Sequence, residues 1–213
     1  TLPIIDHKVG VELVLEALIS QGVVADLDEI KGVGHRVVHG GELYGASVEI
    51  DHAVETSVIE LSELAPLHNP ANMVGYRAFK KALPKARHVA VFDTAFHQSM
   101  PDDIYLYPIP YEYYQDYKIR RYGFHGTSHA YVSERASHIT SATGPHGWLT
   151  AHLGNGCSAT AVYDGKSLDT SMGLTPLEGL MMDTRSGDVD PSLHIHLKRQ
   201  LGMSLEEIDK MLN

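Results

Sequence analysis

The chain has 213 residues, of which 43% are hydrophobic and 21% charged, a balance that excludes wholesale disorder. Its formal net charge of −10 argues against a general nucleic-acid binder, which needs a basic face. Cys157 is the only cysteine, so no intrachain disulfide can form and a reducing cytoplasm is the default compartment.

Helical spacing over Val11 to Ile19 predicts a helix that ends at Gly22. Gly34 to His39 reads as a short buried strand running into the Gly40-Gly41 turn. Val54 to Leu64 is an amphipathic helix. A further helix starts at Asn69-Pro70, read as an N-cap followed by proline at the first helical position, and runs through Ala82. His88 to Phe92 is apolar and β-branched, the pattern of a central strand, and it delivers Asp93 to its carboxyl end. Residues 101–122 hold seven of the eleven tyrosines and three prolines without clean periodicity, which predicts an extended excursion opening a second domain. Ser128 to about Ile139 reads as a helix. Trp148 to Leu153 and Ser158 to Tyr163 read as strands joined by Gly154-Asn155-Gly156, with Asp164-Gly165 making the next hairpin turn. One helix follows Asp190-Pro191, and a last one is opened by the capping box Ser204-x-x-Glu207. No apolar run approaches the length of a membrane span and no signal peptide is visible.

Five short islands, four of them glycine-bearing, carry the chemistry. Arg36 lies in GHRVVHGG and Arg185 in DTRSGDVDP; between them stand FDTAFH (Phe92 to His97), GFHGTSH (Gly123 to His129) and HLGNG (His152 to Gly156). Glycine lets backbone amides approach a ligand closely, and a guanidinium fork matches phosphate or carboxylate. Taken together, the five islands point to a bound and transferred anion, hence phosphoryl transfer. Each island also has a plainer reading. Gly154-Asn155-Gly156 is a common hairpin signal, although Asn155 could take a positive φ or donate from its side chain. Arg36 and Arg185 could be structural ion-pair residues, and His125 a hydrogen-bonded structural histidine. Asp93, at the end of a buried strand, must be bonded, paired or near a cation. A metal-dependent hydrolase built on His35, His39 and Asp93 is another reading of the fourteen histidines, but no H-E-x-x-H stands here. His194 and His196 read as a solvated helix face.

Together and in this order, HRVVHGG, LAPLHNP, FDTAFH, YGFHGTSH, HLGNG and TRSGDVDP strongly resemble the acetate kinase (acetokinase) family, within the acetate and sugar kinase, Hsc70 and actin superfamily. The resemblance runs from about Gly34 to Pro191. It implies an α/β fold of the actin-like (ribonuclease H-like) two-domain type, here incomplete at both ends, with 1–96 in the first domain and 97–213 in the second. Thr1 in place of methionine agrees with a piece of a longer protein. The family's amino-terminal phosphate loop and its carboxy-terminal adenosine site are missing from this sequence.

The resemblance also implies reversible transfer of the ATP γ-phosphoryl group to acetate, with ATP and Mg²⁺ required. The alternatives are a propionate or butyrate kinase of the same family, or an incomplete enzyme acting as a binding or dimerisation module. Arg36 and Arg185 would neutralise the acetate carboxylate and the phosphoryl oxygens, and His125 would donate to the moving group. Asp93 matches the family's catalytic aspartate. Because acetate is already ionised, Asp93 is less a general base than a residue that positions Mg²⁺, directly or through water. His152, Gly154, Asn155 and Gly156 match the phosphate-binding hairpin, with Asp183 and Arg185 beside it. Val38, Leu67, Phe124 and Pro176 match the pocket for the acyl methyl group. Asp183 stands where the family usually has glycine, and it could pair with Arg185 or crowd its loop. A cytoplasmic homodimer acting on small molecules, without nucleic-acid or membrane partners, completes the expectation.

Overall fold

The computed structural model describes residues 6–66 and 68–213. They fall into two compact units, divided between Ala95 and Phe96.

The first unit is a small mixed sheet backed by helices. Helix α1 (His7–Ser20) is started by Asp6, whose side chain accepts from the amide of Val9, and it stops just before Gly22 at φ +67°. Strand β1 (Gly32–Val37), strand β2 (Val48–Glu49), helix α2 (His52–Glu60), helix α3 (Asn69–Ala82) and strand β3 (Arg87–Phe92) follow. The sheet order is β1-β3-β2, with β3 parallel to β1 and antiparallel to β2. Strand β3 is therefore central, as its apolar β-branched run predicts. Val37, Val58, Met73, Ala90 and Phe92 form the core of this unit.

Three sequence expectations change here. Strand β1 starts two residues earlier than Gly34 and ends before Val38, because the amides of Val38 and His39 leave the ladder for Asn72 and Asn69 side chains. Helix α2 tightens into a 3₁₀ turn over Leu61–Glu63 instead of continuing to Leu64. Asn69 is the first helical residue of α3 rather than its cap: His68 holds the cap position, and the Asn69 amide group serves the loop after β1.

The second unit opens not with an extended excursion but with two short helices, α4 (Asp102–Tyr105) and α5 (Glu112–Tyr117). Their tyrosines are organised by arginines. The Arg120 guanidinium stacks 3.6 Å from the Tyr105 ring centroid, and Arg121 ties Glu178 at 2.7 Å while Tyr107 donates to the same carboxylate at 2.5 Å. Helix α6 (Gly126–Thr140) packs on a three-stranded antiparallel sheet, β4 (Gly147–Leu153), β5 (Cys157–Tyr163) and β6 (Lys166–Thr170), in the order β4-β5-β6. Asp164 and Gly165 both take positive φ (48° and 72°), the mirror-image turn that a two-residue hairpin favours. Helices α7 (Leu193–Leu201) and α8 (Leu205–Leu212) close the unit. The α8 capping box is complete: Ser204 Oγ accepts from the Glu207 amide at 3.1 Å, and the Glu207 carboxylate accepts from the Ser204 amide at 2.8 Å.

Candidate functional site

In the first unit, the ladder of β1 and β3 carries one residue further through the Asp93 amide, which donates to the Val37 carbonyl at 3.0 Å. This places the Asp93 side chain beside Arg36. The pair is bidentate, with Nε donating to Oδ1 at 2.9 Å and Nη2 to Oδ2 at 2.6 Å. Burial is unequal: the Asp93 side chain is 3% exposed and that of Arg36 65%. The need for Asp93 to be paired, set by its place at a buried strand end, is met by Arg36. The hydrogen bond to Asp93 raises the Arg36 pKa above its already high value, against a smaller opposing effect of burial.

The loop after β1 is pinned by side chains from elsewhere in the unit. Val38 donates to Asn72 Oδ1 and His39 to Asn69 Oδ1, each at 3.0 Å, while Gly40 donates to Thr94 Oγ1 at 3.0 Å. Asn69 also donates to the His39 and Val58 carbonyls. Val38 is buried. Leu67, assigned with it to the acyl pocket, lies outside the described residues. Asn72 went unremarked in the sequence and Asn69 was read only as a helix cap, since nothing local shows that backbone 30 or more positions away needs their side chains or that of Thr94.

His35 and His39 do not join Asp93. His35 donates from Nε2 to His88 Nδ1 at 2.9 Å, because His88 Nε2 must donate to the Leu83 carbonyl at 3.1 Å. His39 Nδ1 accepts from the Gly41 amide. Among the described residues, no group of three or more His, Cys, Asp or Glu side chains is placed to hold a metal ion.

In the second unit, the tip of the β4–β5 hairpin is a three-residue connection, with Leu153 paired to Cys157 and the Gly154 amide donating to the Gly156 carbonyl at 3.1 Å. Asn155 is exposed there without a positive φ; the third residue removes the need for the left-handed pair that a two-residue turn demands. Gly156 is where the side chains gather. A Cβ on it would sit 3.0 Å from Arg185 Nη2 and 3.4 Å from His125 Nε2, so a larger residue would press on the guanidinium and the imidazole that approach the hairpin together. His125 has φ +58° at the N-cap of α6, a conformation uncommon for a residue with a Cβ. The amide-rich end of α6 adds partial positive charge beside it. The His152 ring stacks on His125 at 4.0 Å, fixed by a 2.9 Å bond to Ser128.

Arg185 stands in irregular chain, and its Nη1 donates to the Pro176 carbonyl at 2.7 Å. That contact joins two residues that the sequence assigned to the phosphate and acyl sites. Among the described residues Arg185 pairs with no carboxylate. Asp183 is exposed and forms no ion pair with it, so the departure at that position neither neutralises nor displaces the arginine. The loop is braced instead by Asp188, whose carboxylate accepts from the Gly179 amide at 2.7 Å. Phe124 is fully buried one residue before His125.

The α/β fold carries an ion-paired arginine in one unit and, in the other, a histidine, a glycine hairpin and an arginine to which no described carboxylate is paired, groups of the chemistry that suits anions. Comparison with known proteins gives the particular family. The sequence matches the Acetokinase family over residues 1–213, beyond the Gly34–Pro191 span of the motifs. It is 55% identical to an acetate kinase of Bacillus cytotoxicus over 209 residues, which is 98% of this chain and 53% of that protein. The fold superimposes on the crystal structure of Porphyromonas gingivalis acetate kinase with a TM-score of 0.91 at 48% identity, covering 98% of this chain and 53% of that one. It also matches a propionate kinase from Francisella tularensis subsp. tularensis with a TM-score of 0.90 at 50% identity, covering 97% and 53%. The chain belongs to the acetokinase family. It spans about half the length of the relatives it matches.

Proposed function

We propose that this chain is the part of an acetate kinase that holds the acyl acceptor and the moving phosphoryl group, in the transfer of the ATP γ-phosphoryl group to acetate. The observation that carries the reading is the meeting of Arg185, His125 and the Gly154–Gly156 hairpin at one glycine, in a chain of this family. Such transfer passes through a loose transition state, where alignment and charge stabilisation dominate. Arg185 and His125 would face the phosphoryl oxygens. Arg36 would face the acetate carboxylate through Nη1, the edge that its fork to Asp93 leaves over. Val38, Leu67, Phe124 and Pro176 would take the acyl methyl group, and His152, Asn155 and Asp183 would flank the nucleotide phosphates.

Asp93 is best read as the group that aims Arg36. Both its oxygens accept from the guanidinium, so it is poorly placed as a base, and ionised acetate has no proton to give up. The same geometry bears on Mg²⁺, which keeps several waters and uses one or two carboxylates along with substrate phosphates. Buried and forked to Arg36, Asp93 fits Mg²⁺ only through water. There the ion would neutralise phosphate charge.

The match to a propionate kinase supports a second reading in which acyl preference is graded. One methylene in an apolar pocket discriminates by only about 1–3 kcal/mol. A cytoplasmic, homodimeric setting belongs to the same proposal; no helix among the described residues is long and apolar enough to cross a membrane.

The test is acyl phosphate formation, trapped with hydroxylamine, from MgATP and acetate, propionate or butyrate. Turnover highest on acetate is expected, with a loss on the order of 10²-fold or more in Arg185→Ala. Turnover unchanged in Arg185→Ala contradicts the assigned role. MgATP that neither turns over nor raises the melting temperature contradicts the ATP reading.

A further inference from the structure

Behind His125 lies a line of buried polar groups that the transfer reaction does not touch. His125 Nδ1 is 2.8 Å from Ser158 Oγ, and Ser158 Oγ is 2.8 Å from His129 Nε2. His129 Nδ1 is 2.8 Å from Thr150 Oγ1, and Thr150 Oγ1 donates to the Thr160 carbonyl at 3.3 Å. Ser158, His129 and Thr150 are all buried. Ser158 has one hydroxyl proton for two imidazoles, so one ring must face it with N–H and the other with a lone pair.

The far end sets the order. A carbonyl only accepts, so Thr150 gives its proton to Thr160, and its oxygen then accepts from His129 Nδ1–H. Burial, with a further push from His97, His125 and His152, lowers the His129 pKa to about 3, which keeps that ring neutral. Its Nε2 is then a lone pair that accepts from Ser158, and Ser158 in turn accepts from His125 Nδ1–H. The opposite order breaks the Thr150 bond to Thr160 and satisfies only three of the four contacts.

We propose that Ser158, His129 and Thr150 form a proton-ordering relay that fixes neutral His125 as the Nδ1–H tautomer, so that His125 donates to an anion through Nε2 only as the imidazolium. Anion binding at the hairpin is then coupled to uptake of one proton.

The surroundings favour this coupling. Within this unit the titratable or charged groups facing His125 are His152, stacked at 4.0 Å, His129 across Ser158, and Arg185 across Gly156, with His97 behind His129 at 5.8 Å. An imidazolium beside Arg185 adds positive charge where an anion would bind. Ser158, His129 and Thr150 act through His125 and are positioning residues. The proton coupling rests on the phosphoryl-site reading above; the tautomer does not.

The experiment is ¹⁵N NMR of the histidine-labelled 213-residue chain, titrated with pH in the absence and presence of sulfate, which stays dianionic across the range. Neutral His125 should carry its proton on Nδ1, as should His129. Sulfate should raise the His125 titration midpoint, and between the free and the raised midpoint its affinity should fall about tenfold per pH unit as pH rises, the slope for one linked proton, levelling off below the free midpoint where the ring is already protonated. Thr150→Val, which keeps the shape and removes the hydroxyl, should release the order and give mixed His125 tautomers; Ser158→Ala should move the neutral proton to Nε2. A neutral His125 protonated on Nε2 in the unsubstituted chain overturns the relay, as does an unchanged tautomer in Thr150→Val. The Nδ1–H tautomer with a sulfate affinity flat in pH leaves the relay standing and overturns its coupling to anions, and with it the role given to His125 in transfer.

Discussion

The two arginines that mark this sequence end in opposite electrostatic states. Arg36 is forked onto buried Asp93, so its charge is compensated and its plane is fixed. Among the described residues, the Arg185 side chain is held by a carbonyl, at Pro176, and faces a hairpin and an imidazole with no carboxylate paired to it. The first unit thus presents an oriented and compensated guanidinium, and the second a guanidinium at its hairpin to which no described carboxylate is paired. On the transfer reaction proposed above the division is useful: Arg36 would orient the acceptor without trapping it, and Arg185 would attract the group that carries most of the charge.

The largest expected effect comes from acid, and it weighs more on the first unit. His35 and His39 there have pKa values lowered to about 4 by burial, with His88 adding to the effect at His35; His129 in the second unit is lowered to about 3. All three rings are neutral when folded and take up protons near 6.5 when unfolded. The unfolded chain therefore binds more protons below pH 6.5. Stability is fully present above that value and is lost as pH falls toward 4, on the order of several kcal/mol in all. Urea midpoints should drop steeply over that range. A flat profile would mean that the rings are charged in the fold.

The ion pair gives the next effect. Arg36→Ala leaves Asp93 buried without its partner and should cost about 1–3 kcal/mol, below the full figure for a buried pair because the arginine is largely exposed. Adding Asp93→Asn should restore part of the loss, whereas Arg185→Ala should leave the urea midpoint within roughly 0.5 kcal/mol. The smallest effect concerns the edge of the second unit: Ser204→Ala removes half of the α8 capping box and should cost about 1 kcal/mol in thermal unfolding.

What the sequence disclosed follows the range of the interactions. The Ser204–Glu207 box, the Asp164-Gly165 turn, the central strand ending at Asp93 and the helix before Gly22 are set by neighbours within a few residues, and each forms where periodicity and turn chemistry put it. The tyrosine-rich stretch did not disclose its two short helices, because Arg120, Arg121 and Glu178 organise those rings and Glu178 lies far along the chain. At the site, the islands named Arg36, Asp93, His125, Arg185 and the hairpin but not their states. That Asp93 is spent on Arg36, that Asn69 serves a loop rather than a helix end, and that Ser158 stands between two histidines all depend on contacts about 30 or more residues apart in sequence. Asp183 is the converse case: a conspicuous charge in the sequence that the folded loop turns outward.

Sulfate binding to the chain, followed by backbone amide shifts in the unsubstituted protein, Arg36→Ala and Arg185→Ala, tests the division of labour most directly. The account predicts shifts centred on Gly154–Gly156 and His125, a loss of affinity of roughly tenfold or more in Arg185→Ala, and a change within about twofold in Arg36→Ala. Equal losses in the two variants, or shifts centred on Val38–Gly41, would contradict it.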